Sequence, residues 1–185
     1  MKSFIILSLA ALLIIIFTLS LGAYNMAATE KHWAITEKII TWVRESSIEV
    51  RAKDLEVPTI DETDILLIGA EHYNAMCTIC HLAPGRKPTE LATGLYPQAP
   101  VFHERTAVTD AEEKLHSTKE YFWVIKNGIK MTAMPAWGLT HDDESIWAMA
   151  AFVHRLHGMT DEQYEAIVET DHHGHQHNDD HDHHH

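Results

Sequence analysis

An all-α fold with an apolar N-terminal span is predicted from three features of this chain. Ser or Thr is followed three residues later by Glu or Gln at Thr59/Glu62, Thr109/Glu112, Ser117/Glu120 and Thr160/Gln163, the spacing of a capping box at a helix start. No stretch alternates apolar and polar residues with the period of two that a half-buried strand needs. The 20 residues from Phe4 to Ala23 carry no charge at all.

At about 1.5 Å per residue, that uncharged run makes a helix of roughly 30 Å, enough to span a bilayer. Lys2 and the amino terminus precede it and no basic residue follows until Lys31, so the positive-inside rule puts the N-terminus in the cytoplasm and the rest outside. A cleaved signal peptide ending near Ser20-Leu21-Gly22 is the competing reading. Its apolar region is usually about 7 to 15 residues, so length favours an uncleaved anchor over residues 1–23. Residues 24–60 read as a juxtamembrane helical segment closed by Pro58, with Trp33, Ile35, Ile39, Trp42 and Val43 at helical spacing. That helix either packs on its own domain or lies at the membrane interface, where Trp is favoured.

Residues 61–168 are predicted to form a small helical domain. Asp142, Asp143 and Glu144 add a helix start through the helix dipole, and Gly128 and Gly158 sit where helices should stop. Leu82 to Phe102, with four prolines and two glycines, reads as one long loop. Residues 169–185 are predicted to be a disordered tail that holds eight of the chain's 16 histidines.

The chain has 185 residues and a formal net charge of -13, from 27 acidic and 14 basic side chains, with no Lys/Arg cluster. Such a balance repels phosphate backbones and excludes nucleic acid as a partner. The four aspartates of the tail account for four of those thirteen charges, leaving -9 for the rest.

The two cysteines fall in Cys77-Thr78-Ile79-Cys80-His81. Cysteines at i and i+3 project from one helical turn, so each thiol can add to one vinyl group of a haem while His81 turns its imidazole to the iron. A structural zinc needs four ligands, and there is no second cysteine pair. A thioredoxin-type pair should follow a strand, whereas a helical pattern precedes this one. A plain disulfide leaves His81 without a role.

With these residues in view, the chain resembles the class I c-type cytochromes, in particular small membrane-anchored mono-haem members from bacteria. Gly69, Tyr73 and Cys77 match that family's Gly-x-x-x-aromatic-x-x-x-Cys register. Ile146, Met149, Val153 and Leu156 form a stripe on what reads as the last helix, with Phe152 as the aromatic that meets Gly69. The resemblance implies about four to five helices around one covalent haem (heme c). It also implies a bacterial inner-membrane location with the haem domain on the periplasmic side.

The resemblance further implies a distal methionine within Met-Pro-x-aromatic-Gly, which selects Met134; Met131 is the alternative. Pro135 restrains Met134 to extended geometry, suiting a residue aimed inward from a loop. In the family a proline carbonyl accepts the free N–H of the proximal histidine, and Pro100 fits that role, with Pro97 as runner-up. Tyr96, Phe102, Phe122, Trp123, Ile125 and Trp137 would wall off the iron, and Trp123 and Trp137 could donate to haem propionates.

Three functions compete. An electron carrier needs one iron with both axial sites filled. A haem sensor or peroxidase needs an open iron, and Met134 argues against it. A metal-homeostasis role rests on His172, His173, His175, His177, His181, His183, His184 and His185, which at this density suit Cu(II), Ni(II) or Zn(II). Electron transfer without catalysis is the expectation, alone or within a larger oxidoreductase complex. The expected partners are membrane or periplasmic redox proteins with a basic docking surface.

Overall fold

Helix α1, Lys2–Ser20, buries none of its residues against the rest of the protein. It is long and apolar enough to cross a membrane. The structure, a computed structural model, describes residues 1–175.

Beyond α1 the chain folds back on itself. Tyr24 Oη lies 2.6 Å from His32 Nδ1, and the Tyr24 ring meets Trp33 edge-on at 4.8 Å. The His32 N–H donates to Tyr96 Oη at 2.8 Å, fastening this linker to the loop before Pro97. Helix α2, Ala34–Ala52, then packs against the helix at 111–127 through half-buried Ile40, Arg44 and Ile48 and buried Ala52. Lys119 Nζ adds a bond to Lys53 O at 3.1 Å. The stripe of Trp33, Ile35, Ile39, Trp42 and Val43 points the other way and is exposed. The helix therefore does pack on its own domain, but through a different face from that stripe. The helix also stops at Ala52, six residues short of Pro58, so the proline does not end it.

One continuous helical rod carries Cys77, Cys80 and His81. Its α-helical turns are α3 (Glu62–Asp64), α4 (Ala70–His72) and α5 (Thr78–His81), joined by π-helical segments at Ile65–Gly69 and Tyr73–Cys77. Asp61, and not Thr59, caps the rod by accepting from the Thr63 N–H at 2.7 Å. A carboxylate placed there also meets the positive end of the helix dipole. Within the expected loop 82–102 lies a short helix, α6 (Glu90–Gly94), capped by Thr89. Five residues are too few to leave a periodic signature.

Helix α7, Ala111–Asn127, is capped by Asp110 one residue after the expected Thr109, and it ends at Gly128 with φ +65°. Ser117 starts nothing: it sits mid-helix with its hydroxyl donating back to Glu113 O. Helix α8, Asp143–Arg155, is capped by Asp142 and is the most buried element, with Ile146, Trp147, Met149, Phe152 and Val153 in the core. The Phe122 and Trp147 rings stack at 3.8 Å between α7 and α8, a pairing worth roughly 0.5–1.5 kcal/mol beyond its buried area.

Helix α9, Asp161–His175, starts with the expected capping box: Thr160 N donates to Gln163 Oε1 and Gln163 N to Thr160 Oγ1. It buries Tyr164 and Val168 in the same core. Helix α8 is therefore not the last helix of the domain, as the sequence reading had it. The chain also stays helical to His175, past residue 168, where the tail was expected to begin: once Tyr164 and Val168 anchor the helix, nothing in Glu169-Thr170-Asp171 stops it. Among the described residues there is no strand.

At the end of α8 the rings of His154 and His157 stack at 4.8 Å, both buried. His154 Nε2 bonds Ser117 Oγ, His157 Nε2 lies 3.1 Å from Tyr121 Oη, and His157 Nδ1 has no partner among the described residues. Burial, then the neighbouring His154 and Arg105, push His157 down to about 4, and burial lowers His154 as well. Both are held neutral in the folded chain but take up protons near 6.5 once unfolded, so stability should be full above about pH 6.5 and fall towards pH 4. Thermal unfolding midpoints measured between pH 7 and 5 should decline, and His157→Phe should flatten that decline; a flat wild-type profile would contradict it.

Candidate functional site

The rod delivers both thiols and the imidazole to one place. Cys77 closes the second π segment, and Cys80 and His81 lie on α5. Both cysteines are free and half-buried, and burial pushes the Cys77 thiol up to about 12. The rod ends abruptly at Leu82, whose φ of +62° is strained for a residue with a side chain. Buried Tyr73 holds that turn, donating its hydroxyl to Leu82 O at 2.7 Å.

His81 Nδ1 lies 2.9 Å from Pro100 O. A carbonyl only accepts, so Nδ1 carries the proton and Nε2 keeps its lone pair for a ligand. Burial lowers the pKa of His81, which keeps it neutral and able to ligate. Phe102 stacks on the imidazole with centroids 4.8 Å apart and planes 19° apart. Beyond Phe102 the Arg105 guanidinium lies 5.3 Å from the ring centroid and donates to Tyr121 Oη at 2.9 Å. The sequence placed Phe102 only in a general apolar wall; the parallel stack and Arg105 behind it were not foreseen.

The methionine loop runs from Gly128 to Ala136. Ile129 N donates to Met134 O at 3.2 Å, Thr132 N and Oγ1 return to Ile129 O, and Met134 N donates to Thr132 Oγ1 at 3.1 Å. These bonds cinch the loop so that its two methionines part. Met134 is half-buried and packs on the core, whereas Met131, at the tip with φ +60°, is 82% exposed. Gly128 allows the cinch, because a Cβ there would stand 2.8 Å from Met134 O.

Phe122 and Ile125 are buried, and Tyr96, Trp123 and Trp137 half-buried. Neither the Trp123 nor the Trp137 indole N–H has an acceptor among the described residues. Asn74, which the sequence reading passed over, braces the rod: its side chain accepts from Tyr164 Oη at 3.2 Å and Arg86 at 3.1 Å. These partners are distant in sequence, and no local signal marks them.

His172, His173 and His175 lie at the end of α9, and His177, His181, His183, His184 and His185 lie outside the described residues. Among the described residues, no group of three or more His, Cys, Asp or Glu could hold a free metal ion, so the Cu, Ni or Zn site expected in the tail gains no support.

The residues fit a covalent haem. Two free thiols share a turn, an imidazole is oriented through Nδ1 with Nε2 unencumbered, and one methionine is turned inward. No curated protein matches the chain. Residues 66–153, from the first π segment into α8, match the family model described as cytochrome C oxidase, cbb3-type, subunit III. The chain carries a c-type cytochrome domain, all-helical and preceded by an apolar N-terminal helix.

Proposed function

We propose that this chain is a membrane-anchored, mono-haem electron carrier with its haem domain outside the cytoplasm. Cys77 and Cys80 would hold the haem through thioethers, and His81 Nε2 and the Met134 sulfur would be its two protein ligands. A haem so bound supplies a one-electron iron couple. Everything else is done by the chain: Pro100 O fixes the His81 tautomer and raises its basicity, and the aromatic residues keep water away. A thioether ligand favours the ferrous state and holds the potential above that of a bis-imidazole site.

The observation that carries this reading is the parting of the two methionines, Met134 inward and Met131 at the exposed tip. With His81 and Met134 both committed to the haem, no position would be left for a substrate, which would separate a carrier from a sensor or peroxidase. Carbon monoxide added to the ferrous protein at neutral pH should leave its spectrum unchanged. Rapid binding would move the assignment to an open-site function.

Arg105 sets the potential in this account. Its cation lies behind the His81 and Phe102 stack, where it opposes the extra positive charge of the ferric state. Arg105→Gln should lower the midpoint potential, on the order of tens of millivolts, in a redox titration. An unchanged potential would remove Arg105 from the account.

The redox partner is proposed to present a basic surface, because the charge of -9 outside the tail aspartates steers cations. Its association rate with this protein should fall as added salt shortens the Debye length, and a salt-independent rate would point to apolar docking. The matching family is described as an oxidase subunit, and that match favours a second reading, permanent assembly into a larger oxidoreductase. Co-purification with an integral membrane complex through gentle solubilisation distinguishes it from transient docking.

A further inference from the structure

Helix α2 has two apolar faces, and the domain uses only one. Ile40, Ile48 and Ala52 lie on the side that packs on α7. Ile35, Ile39, Trp42, Val43 and Val50, at i, i+4, i+7, i+8 and i+15, fall within an arc of roughly 100° on the opposite side. Each of these five is more than half exposed, Trp42 at 69%. Lys38, Glu45 and Glu49 border the stripe along one edge. An apolar face of this length, interrupted only by Ser46, marks an interaction site on an exposed helix.

The linker indicates what covers it. Tyr24 comes four residues after the end of α1, and its ring packs on Trp33, the residue immediately before α2. The Tyr24 to His32 bond closes the same loop. The start of α2 is thereby held close to the point where the chain would leave a bilayer spanned by α1. The Tyr96 bond to His32 keeps the haem domain on the same linker.

We propose that α2 lies along the bilayer surface, its Ile35, Ile39, Trp42, Val43 and Val50 face sunk into the boundary between headgroups and acyl chains. Trp42 sits mid-stripe, where an amphipathic indole gains most from one wet and one apolar side. Lys38, Glu45 and Glu49 stay at headgroup level, as expected for a helix that lies on a membrane. With its other face packed on α7, α2 would hold the haem domain at a fixed height above the lipid.

The inference rests on the reading of α1 as an anchor, and the test separates the two. The full-length holoprotein is reconstituted alone in phosphatidylcholine nanodiscs, in parallel with lipid brominated near the upper part of the acyl chains. Tryptophan emission should be lower in the brominated discs, and Trp42→Phe should abolish most of that loss while the haem spectrum stays unchanged. In an independent arm, Ile39→Asp combined with Val43→Asp should raise the quenching of Trp42 by aqueous iodide. Failure of the protein to float with lipid would overturn both the anchor and the surface helix. Flotation with equal emission in both lipids would overturn the surface helix alone and assign the stripe to a protein partner.

Discussion

Replacing Met134 by Ala is expected to open the iron. The haem would then lose one of the two protein ligands proposed for it. The weak sulfur-to-ferric-iron charge-transfer band should vanish, carbon monoxide should bind the ferrous form, and the potential should drop. Met131→Ala should do none of these things, because that side chain stands 82% exposed at the loop tip, on a backbone Met134 turns away from. The loop itself should survive the Met134 substitution, since the bonds that cinch it run through the backbone and Thr132. Loss of the band in the Met131 variant alone would transfer the ligand to Met131.

The largest loss of stability is expected from Gly69→Val. A Cβ at this position would lie 2.5 Å from Ala148 O and 2.8 Å from Phe152 Cβ, inside the crossing of the attachment rod and α8. One of those neighbours is a backbone oxygen in the interior of the most buried helix, so it cannot rotate away as a side chain would. Overpacking in cores usually costs about 1–3 kcal/mol, and a branched side chain against backbone belongs at or above the upper end. Gly69→Ala should also destabilise, even though alanine in a helix interior is worth about 1 kcal/mol over glycine where space allows. Thermal unfolding of the holoproteins ranks the three: wild type highest, Ala intermediate, Val lowest or recovered without haem. An Ala variant more stable than wild type would mean that the rod and α8 do not cross so closely.

What the sequence could reveal was what lies close together along it. The Cys77 to His81 motif is contiguous, and the Thr160 box appears with both of its hydrogen bonds in place. The distant pairing of Gly69 with Phe152 came from the family resemblance instead, and the two residues do meet. Helix starts at Thr59 and Thr109 missed by one or two residues because a nearby aspartate, Asp61 or Asp110, caps better than threonine.

Contacts made across long loops left no such trace. Phe102 on His81 joins residues 21 apart, and Tyr164 on Asn74 joins residues 90 apart. The His154 and His157 pair did leave a signal: two histidines three residues apart at the end of the buried stripe of α8, one of them directly after Val153. Polar residues on an apolar face need partners, and here these are Ser117 and Tyr121 of α7. The exposed face of α2 was legible as a stripe but not as to what covers it, because periodicity reports that a face is apolar without saying what it meets.

The central claim is that Cys77 and Cys80 carry a haem covalently, and extraction with acidified acetone tests it most directly. The protein is purified from membranes of cells able to mature c-type cytochromes, and the haem absorbance of the precipitated chain is compared with that of the supernatant. The haem should stay with the wild-type chain and be released when both Cys77 and Cys80 are replaced by Ala. Free extraction from the wild-type chain would contradict it.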